Sequence, residues 1–541
     1  MRVALLGTIF VASLLFAGCL DNVGGSKNEQ GKARLGKDGT GQALGFADDW
    51  AELVLAGGET HNHVDITQHM GRSTPNFEVV GHNPLLTDYY GRTAGGHFCG
   101  DVREKDGRRI SVVHSWVSDI AFIISDVTDP RNPQKIGEFT LQRTHVYDLA
   151  LTDDMKTVLL ATSPGAAQLQ EEVPVGPIGG EGPFATFRDA CTGEVREVMG
   201  PEQGLPMASG IIVVDIANPR NPSITDFRFF PVNGGHSVVT RDIGGRPLLL
   251  ISVPNGGLPI PGGSPLGPTP NSYYVIAELM EHQTGRKINI LSVYQYAALN
   301  SAVPGVKVPG GMHDGYLHKH PVTGKWLAYL AYGASSLVII DVEDPKNPKF
   351  LSHWNDWAKI GDAAPATPFV HEALPMNELW DGKHYTFIGE ECGGRRAKTP
   401  TCMIMALDTT DPTKPTFVGG WTLPAETGSW GGAMFSPHYL AVINRTLFIT
   451  TYHGGVWAVD VSNPETLFKM PSIGVFMPDI PSPKPVTRRL PYDFGPVVLD
   501  ALPLSDGTLL VYDGYTGLYS VKFDAAHPAP SPDPWPLNYN Q

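Results

Sequence analysis

The sequence predicts an all-β chain, a seven-bladed β-propeller behind an N-terminal export signal and a flexible tether. Three observations carry that expectation. A β-branched apolar run closed by Asp recurs five times, each copy leads into an Asp-Pro or Asn-Pro turn, and two further strand-rich units complete the series. Internal repetition of a unit of about four short strands is the mark of a propeller, because a blade cannot bury its faces alone.

The chain begins Met1-Arg2, stays apolar from Val3 to Phe16 and reaches the small pair Ala17-Gly18 before Cys19. One positive charge, a short apolar core and a small-residue site make an export signal, too short to span a bilayer as a mature helix. A cysteine directly after Ala17-Gly18 resembles the lipobox of bacterial lipoproteins, where cleavage precedes a cysteine that carries diacylglycerol; Phe16 stands where that motif favours leucine. The resemblance implies lipidation at Cys19 and a place in the cell envelope, facing periplasm or exterior; cleavage without a lipid is the alternative. Residues 1–18 are then the signal, 19–45 a tether rich in Gly, Lys, Asn and Asp, and 46–541 the propeller with its N-terminal closing segment.

A net charge of −15 with no stripe of Lys or Arg argues against a nucleic-acid surface. The expected partners are the membrane, through the lipid, and a small-molecule substrate. Five cysteines occur, and with Cys19 acylated the others sit in an oxidising compartment. Cys392 and Cys402 close a short loop and are the preferred disulfide. Cys99 is left to pair with Cys191, to remain a buried thiol, or to act as a thiolate ligand.

The repeated runs are Ala121 to Asp126, Ile211 to Asp215, Leu337 to Asp341, Ile404 to Asp408 and Val456 to Asp460. Four continue into proline pairs: Pro130 and Pro133, Pro219 and Pro222, Pro345 and Pro348, Pro412 and Pro415. Such runs are strands entering tight turns, since an Asx side chain bonds the backbone ahead and Pro fixes φ. A sixth unit, Gly495 to Phe523, lacks the Asp-Pro turn, and a degenerate seventh spans Gly235 to Asn300, with strands near Pro247 to Val253, Ser272 to Leu279 and Ile288 to Tyr296. A strand from between Ala43 and Val80 is expected to complete the last blade and leave no exposed edge. These repeats resemble the LVIVD-repeat family of bacterial and archaeal propellers, named for the apolar run plus Asp. The resemblance covers Gly95 to Phe523; it implies the fold, and not a function, because that family is functionally heterogeneous.

His97, His145, His236, His313, His371 and His438 each open the first strand of a different blade, and the last blade offers Pro496 and Asp500 instead. First strands line the channel of a propeller, so one position repeated around the ring predicts imidazoles converging on the axis. Neutral imidazole suits copper, iron, zinc or nickel. The alternative is architectural: in WD-repeat propellers a Gly-His pair bonds an Asp of the hairpin turn, but the corresponding turns here do not consistently hold an Asp. Asp314 and Glu372 follow histidines directly and are expected on the opposite strand face, bonding backbone or a neighbouring blade. His61 and His63 share a face of an extended segment that could cap the channel and add ligands. His114 and His453 are expected at hairpin turns along one rim, and His318 with His320 in a solvated hairpin.

Two functions follow. One is an extracytoplasmic, metal-dependent oxidoreductase with copper or iron on the axis, copper first because the compartment is outside the cytoplasm. In architecture it resembles the carotenoid-cleaving oxygenases and the selenium-binding protein family with its copper-dependent methanethiol oxidases, with no sequence motif of either present. The other is a non-enzymatic, surface-anchored propeller that binds a protein or glycan on its loops and uses the histidines structurally. No Gly-x-Ser-x-Gly elbow, phosphate-binding glycine loop or His-Glu-x-x-His helix occurs.

Overall fold

The computed structural model of the chain describes residues 73–528 apart from 86, 90–91, 95–96, 116–119, 142–144, 164–184, 189–194, 199–209, 231–234, 257–270, 296–312, 333–336, 358, 360–368, 392–402, 423–427, 431–432 and 479–495. The expected signal, the tether, Cys19, His61, His63, Cys191, Cys392 and Cys402 lie outside the described residues.

Seven four-stranded antiparallel sheets form the ring. Their innermost strands are His97–Lys105, His145–Leu151, Ser237–Ile243, Gly315–Lys319, Val370–Pro375, Leu440–Ile443 and Val498–Pro503, which number blades one to seven. These strands touch in cyclic order, the seventh against the first. The degenerate unit is a full blade, blade three, with strands Arg246–Gly256, Asn271–Met280 and Lys287–Gln295 behind the innermost one. Closure comes from Phe77–Asn83, which starts inside the expected window, runs past it, and pairs antiparallel with Gly517–Phe523. Phe77 packs there against Phe448, Phe476 and Phe523.

Each repeated Asp does what its chemistry dictates. Asp126, Asp215, Asp341, Asp408 and Asp460 accept from the backbone N–H two residues ahead, at 2.7–3.0 Å. A second Asx turn follows at Asp129, Asn218, Asp344 and Asp411. In blade six the same slot holds Asn463, which caps the short helix Pro464–Lys469 through a capping box. The apolar runs bury both faces between neighbouring blades: Ile124, Leu160 and Ile212 share one core, and Phe387, Ile404, Leu447 and Trp457 another.

The proline turns also latch blades together. Ser292 in the outer strand of blade three donates to the Pro345 carbonyl of blade four at 2.6 Å, and Ser352 donates to Pro412 in the same way. At the matching place in blades seven and one stand Gly81 and Gly137, where a Cβ would overlap the carbonyls of Pro130 and Pro219. The turn that signals the repeat is thus also its joint.

Candidate metal centre on the axis

Strand register decides which residues share the axial position. Gly100, Leu149, Val238, Gly315, Ala373, Leu440 and Ala501 pair with Val113, Leu160, Ile251, Leu330, Ile388, Ile449 and Val511 of the second strands. Counting back two gives Phe98, Tyr147, His236, His313, His371, His438 and Leu499. Four consecutive blades therefore present histidine at one position. His97 and His145 of the expected ring of six fall one and two residues earlier in the register, and their side chains lie outside the described residues. The reason is a bulge: pairing skips Tyr147, His371 and Leu499, and both Phe98 and Cys99. An extra residue re-aims the chain at the rim of the channel and breaks any count made from the preceding glycine or threonine.

The four histidines form a chain of rings. His236 Nε2 lies 2.7 Å from His313 Nε2. Ring centroids are 3.8 Å apart for His313 and His371 and 4.2 Å for His371 and His438. Two carboxylates close on them. Asp314 Oδ1 is 3.3 Å from His313 Nδ1 and its Oδ2 is 3.7 Å from His371 Nδ1, while Glu391 Oε2 is 4.0 Å from His371 Nε2. The ligand atoms of His313, Asp314 and His371 lie within 4.8 Å of one another, as do those of His371, Glu391 and His438, and all five residues are buried.

Outer contacts fix these groups. His438 Nδ1 donates to the Leu499 carbonyl at 2.9 Å, which leaves Nε2 to face the cluster. Tyr452 donates to Glu391; its own backbone sits at φ 53°, held there by a two-way bridge with Val498. Burial, then the charges of His313, His438 and His236, push the His371 pKa well below the usual imidazole range. Burial works against the Asp314 carboxylate, but His313, His236 and the Tyr439 hydroxyl hold its pKa below the ordinary value. Neither His371 nitrogen, nor His313 Nδ1, nor either Asp314 oxygen makes a well-formed hydrogen bond.

More carboxylates line the axis. Asp148 accepts from Val238 N–H and Asp500 from Gly100 N–H, each in the next blade, at 2.9 and 2.8 Å. Burial raises both, Asp148 further through the charge of Asp314, and Asp500 to about 7. Glu372 accepts from Tyr316 of blade four and is raised by burial and by the charges of Asp314 and Asp500. Glu372 so bridges to a neighbouring blade as expected, whereas Asp314 turns to the histidines, because residues 313–314 precede the regular strand and alternation does not yet apply.

Cys99 is a free, buried thiol among the described residues, and burial with nearby Asp500, Asp148, Asp314 and Glu391 pushes its pKa well up. His114 lies inside the strand Arg108–Ser115 and not at a turn, whereas His453 does sit in the hairpin turn between Thr446–Thr450 and Val456–Asp460; both are fully buried. His318 and His320 are not a solvated hairpin: both rings pack on His384, with His320 and His384 fully buried. Glu391, Tyr439 and Tyr452 were not singled out from the sequence. The doublet Glu390-Glu391 directly after the apolar strand Tyr385–Glu390 was the available signal.

Residues 322–356, the hairpin and proline turn of blade four, match the family model of the LVIVD repeat. The chain is a seven-bladed β-propeller that carries an LVIVD repeat. No curated protein matches it. Among solved structures the propeller is similar to Saccharomyces cerevisiae Sqt1, at 11% identity and TM-score 0.45 over 82% of this chain and 99% of that one. It is similar also to the β-propeller domain of Myceliophteria thermophila Cps50 (Swd1), at 9% identity and TM-score 0.39 over 80% and 98%. A protein from Lactobacillus plantarum matches at 10% identity and TM-score 0.37 over 67% and 80%.

Proposed function

We propose that this propeller is a metal-dependent oxidoreductase of the cell envelope, holding copper or iron on its axis through His313, His371 and His438 with Asp314 and Glu391. One observation carries the reading: two sets of buried nitrogen and carboxylate ligands converge on His371, and His313 Nδ1, both Asp314 oxygens and both His371 nitrogens make no well-formed hydrogen bond there. Buried charges are normally paired or coordinate a metal, and imidazoles gathered with carboxylates in this way fit an ion better than a structural network.

Imidazole with carboxylate suits copper and iron, and a bound ion would supply electron exchange with a small substrate. The protein's own groups do the rest. Leu499 fixes the tautomer of His438, Tyr452 holds Glu391, and His236 backs His313. Tyr439 packs against both His371 and His438 and limits water there.

Metal analysis of protein purified without a histidine tag tests this. At least one equivalent of copper or iron is expected, and His313→Ala or His438→Ala should weaken binding by no less than the roughly 10–100-fold that loss of an outer partner costs. A protein that takes up no ion on dialysis against either metal is instead a propeller with a buried polar network, binding a partner on its loops.

The envelope location rests on the signal and Cys19. Cys19→Ser expressed in a bacterial host should move the protein from the membrane to the soluble fraction; unchanged membrane recovery would remove the anchor.

A further inference from the structure

We propose that the axis holds two metal ions bridged by the imidazole ring of His371. This rests on the axial cluster being a metal centre and goes beyond it in number and connectivity.

The two ligand sets share a single residue. His371 belongs to the set with His313 and Asp314 and also to the set with Glu391 and His438. It presents opposite edges to them, Nδ1 toward Asp314 at 3.7 Å and Nε2 toward Glu391 at 4.0 Å. A neutral imidazole has one N–H donor and one acceptor nitrogen. Were the ring structural, at least one would have found a partner at hydrogen-bond distance, as His438 Nδ1 did with Leu499 and His384 did at both nitrogens with Met376 and Thr409. His371 is fully buried and neither nitrogen makes a well-formed hydrogen bond, the backbone of His438 lying near the ring without closing one.

The neighbours divide between two ions. His236 occupies His313 Nε2, so His313 offers Nδ1 to the same side as Asp314. Leu499 occupies His438 Nδ1, so His438 offers Nε2. Each side then has one further histidine nitrogen, one carboxylate and one edge of His371. With nitrogen–metal distances of about 2.0–2.1 Å, ions on both edges of one ring stand roughly 6 Å apart, and binding the second releases the ring's remaining N–H proton. Two divalent cations also give Asp314 and Glu391 one ion each, where a single ion would leave one of the two carboxylates without a metal.

Untagged protein titrated with copper(II) should bind two equivalents per chain. Coupling of the two spins through the ring should hold the paramagnetic resonance signal far below two spins. Asp314→Asn and Glu391→Gln should each lower the stoichiometry to one and restore a full, uncoupled signal, and His371→Ala should abolish the coupling. The two carboxamide variants keep the shape of the core and so give an answer even where His371→Ala fails to fold. One equivalent in the parent protein, or two with uncoupled spins, overturns the bridge and leaves a mononuclear centre standing. No bound copper overturns both. Two equivalents that survive in the Asp314→Asn, Glu391→Gln double variant place the ions elsewhere and overturn the bridge as well.

Discussion

Alanine at Gly137 should destabilise the propeller by about 2–3 kcal/mol, the upper range for forcing an extra methyl into a packed contact. Its Cβ would stand on the Pro219 carbonyl of the next blade, and a backbone oxygen in a proline turn cannot rotate away. The backbone of Gly137 is not in the left-handed region, so the substitution carries no conformational penalty of its own. It even gains about 0.4–1 kcal/mol from a stiffer unfolded chain, which the overlap must exceed. Ser352→Ala is the comparison. It removes only the 2.6 Å bond to Pro412 and should cost about 1 kcal/mol. Denaturant midpoints at matched m-values check the order, and a Gly137→Ala protein as stable as the parent would show that the turns do not latch the blades.

Acid should weaken the fold between pH 6.5 and about 4, and His384 carries a large part of that loss. Its ring is fully buried; burial, then the charges of His320 and His318, lower its pKa to about 4. Both nitrogens are satisfied in the neutral form, one by the Met376 carbonyl and the other by the Thr409 hydroxyl. Between those two pH values the unfolded chain binds more protons than the folded one, so stability is full above 6.5 and falls as pH drops toward 4. At 1.36 kcal/mol per pKa unit this amounts to roughly 3 kcal/mol. His318, lowered to about 4 by burial and by His320 and Arg241, acts in the same direction. His384→Gln should therefore flatten the dependence of the urea midpoint on pH between 7.5 and 4.5, and an unaltered slope would place the acid sensitivity elsewhere.

The blades were legible because their chemistry is local. An Asp that bonds the backbone two residues ahead, beside a proline, marks a strand end wherever it occurs, and even degenerate blade three kept its β-branched strands. The axial position was legible in four blades for the same reason. Register is not legible at His97 and His145, because a bulge shifts it without changing composition, and nothing in Gly-Gly-His or Thr-His records whether the next residue is paired. Glu391 was missed because it reaches the axis from the end of a second strand, a place the repeat logic reserves for the hairpin. His318 and His320 were misassigned to solvent because their burial depends on His384 and Thr409 of the following blade, a contact no local pattern reports.

The closing strand sets an order of assembly. Phe77–Asn83 pairs with Gly517–Phe523, and joining the ends of a loop of about 440 residues costs roughly 5 kcal/mol of chain entropy on the (3/2)RT ln n scaling. Blades four to six complete their sheets from neighbouring segments and need no such closure. His313, His371 and His438 can thus meet while the ring is still open on its seventh side, and ions can reach them laterally from solvent. Docking of Phe77 between Phe448, Phe476 and Phe523 then closes that route. If the axis holds the proposed ions, loading becomes an event of maturation, and an ion held this way should exchange no faster than the seam opens.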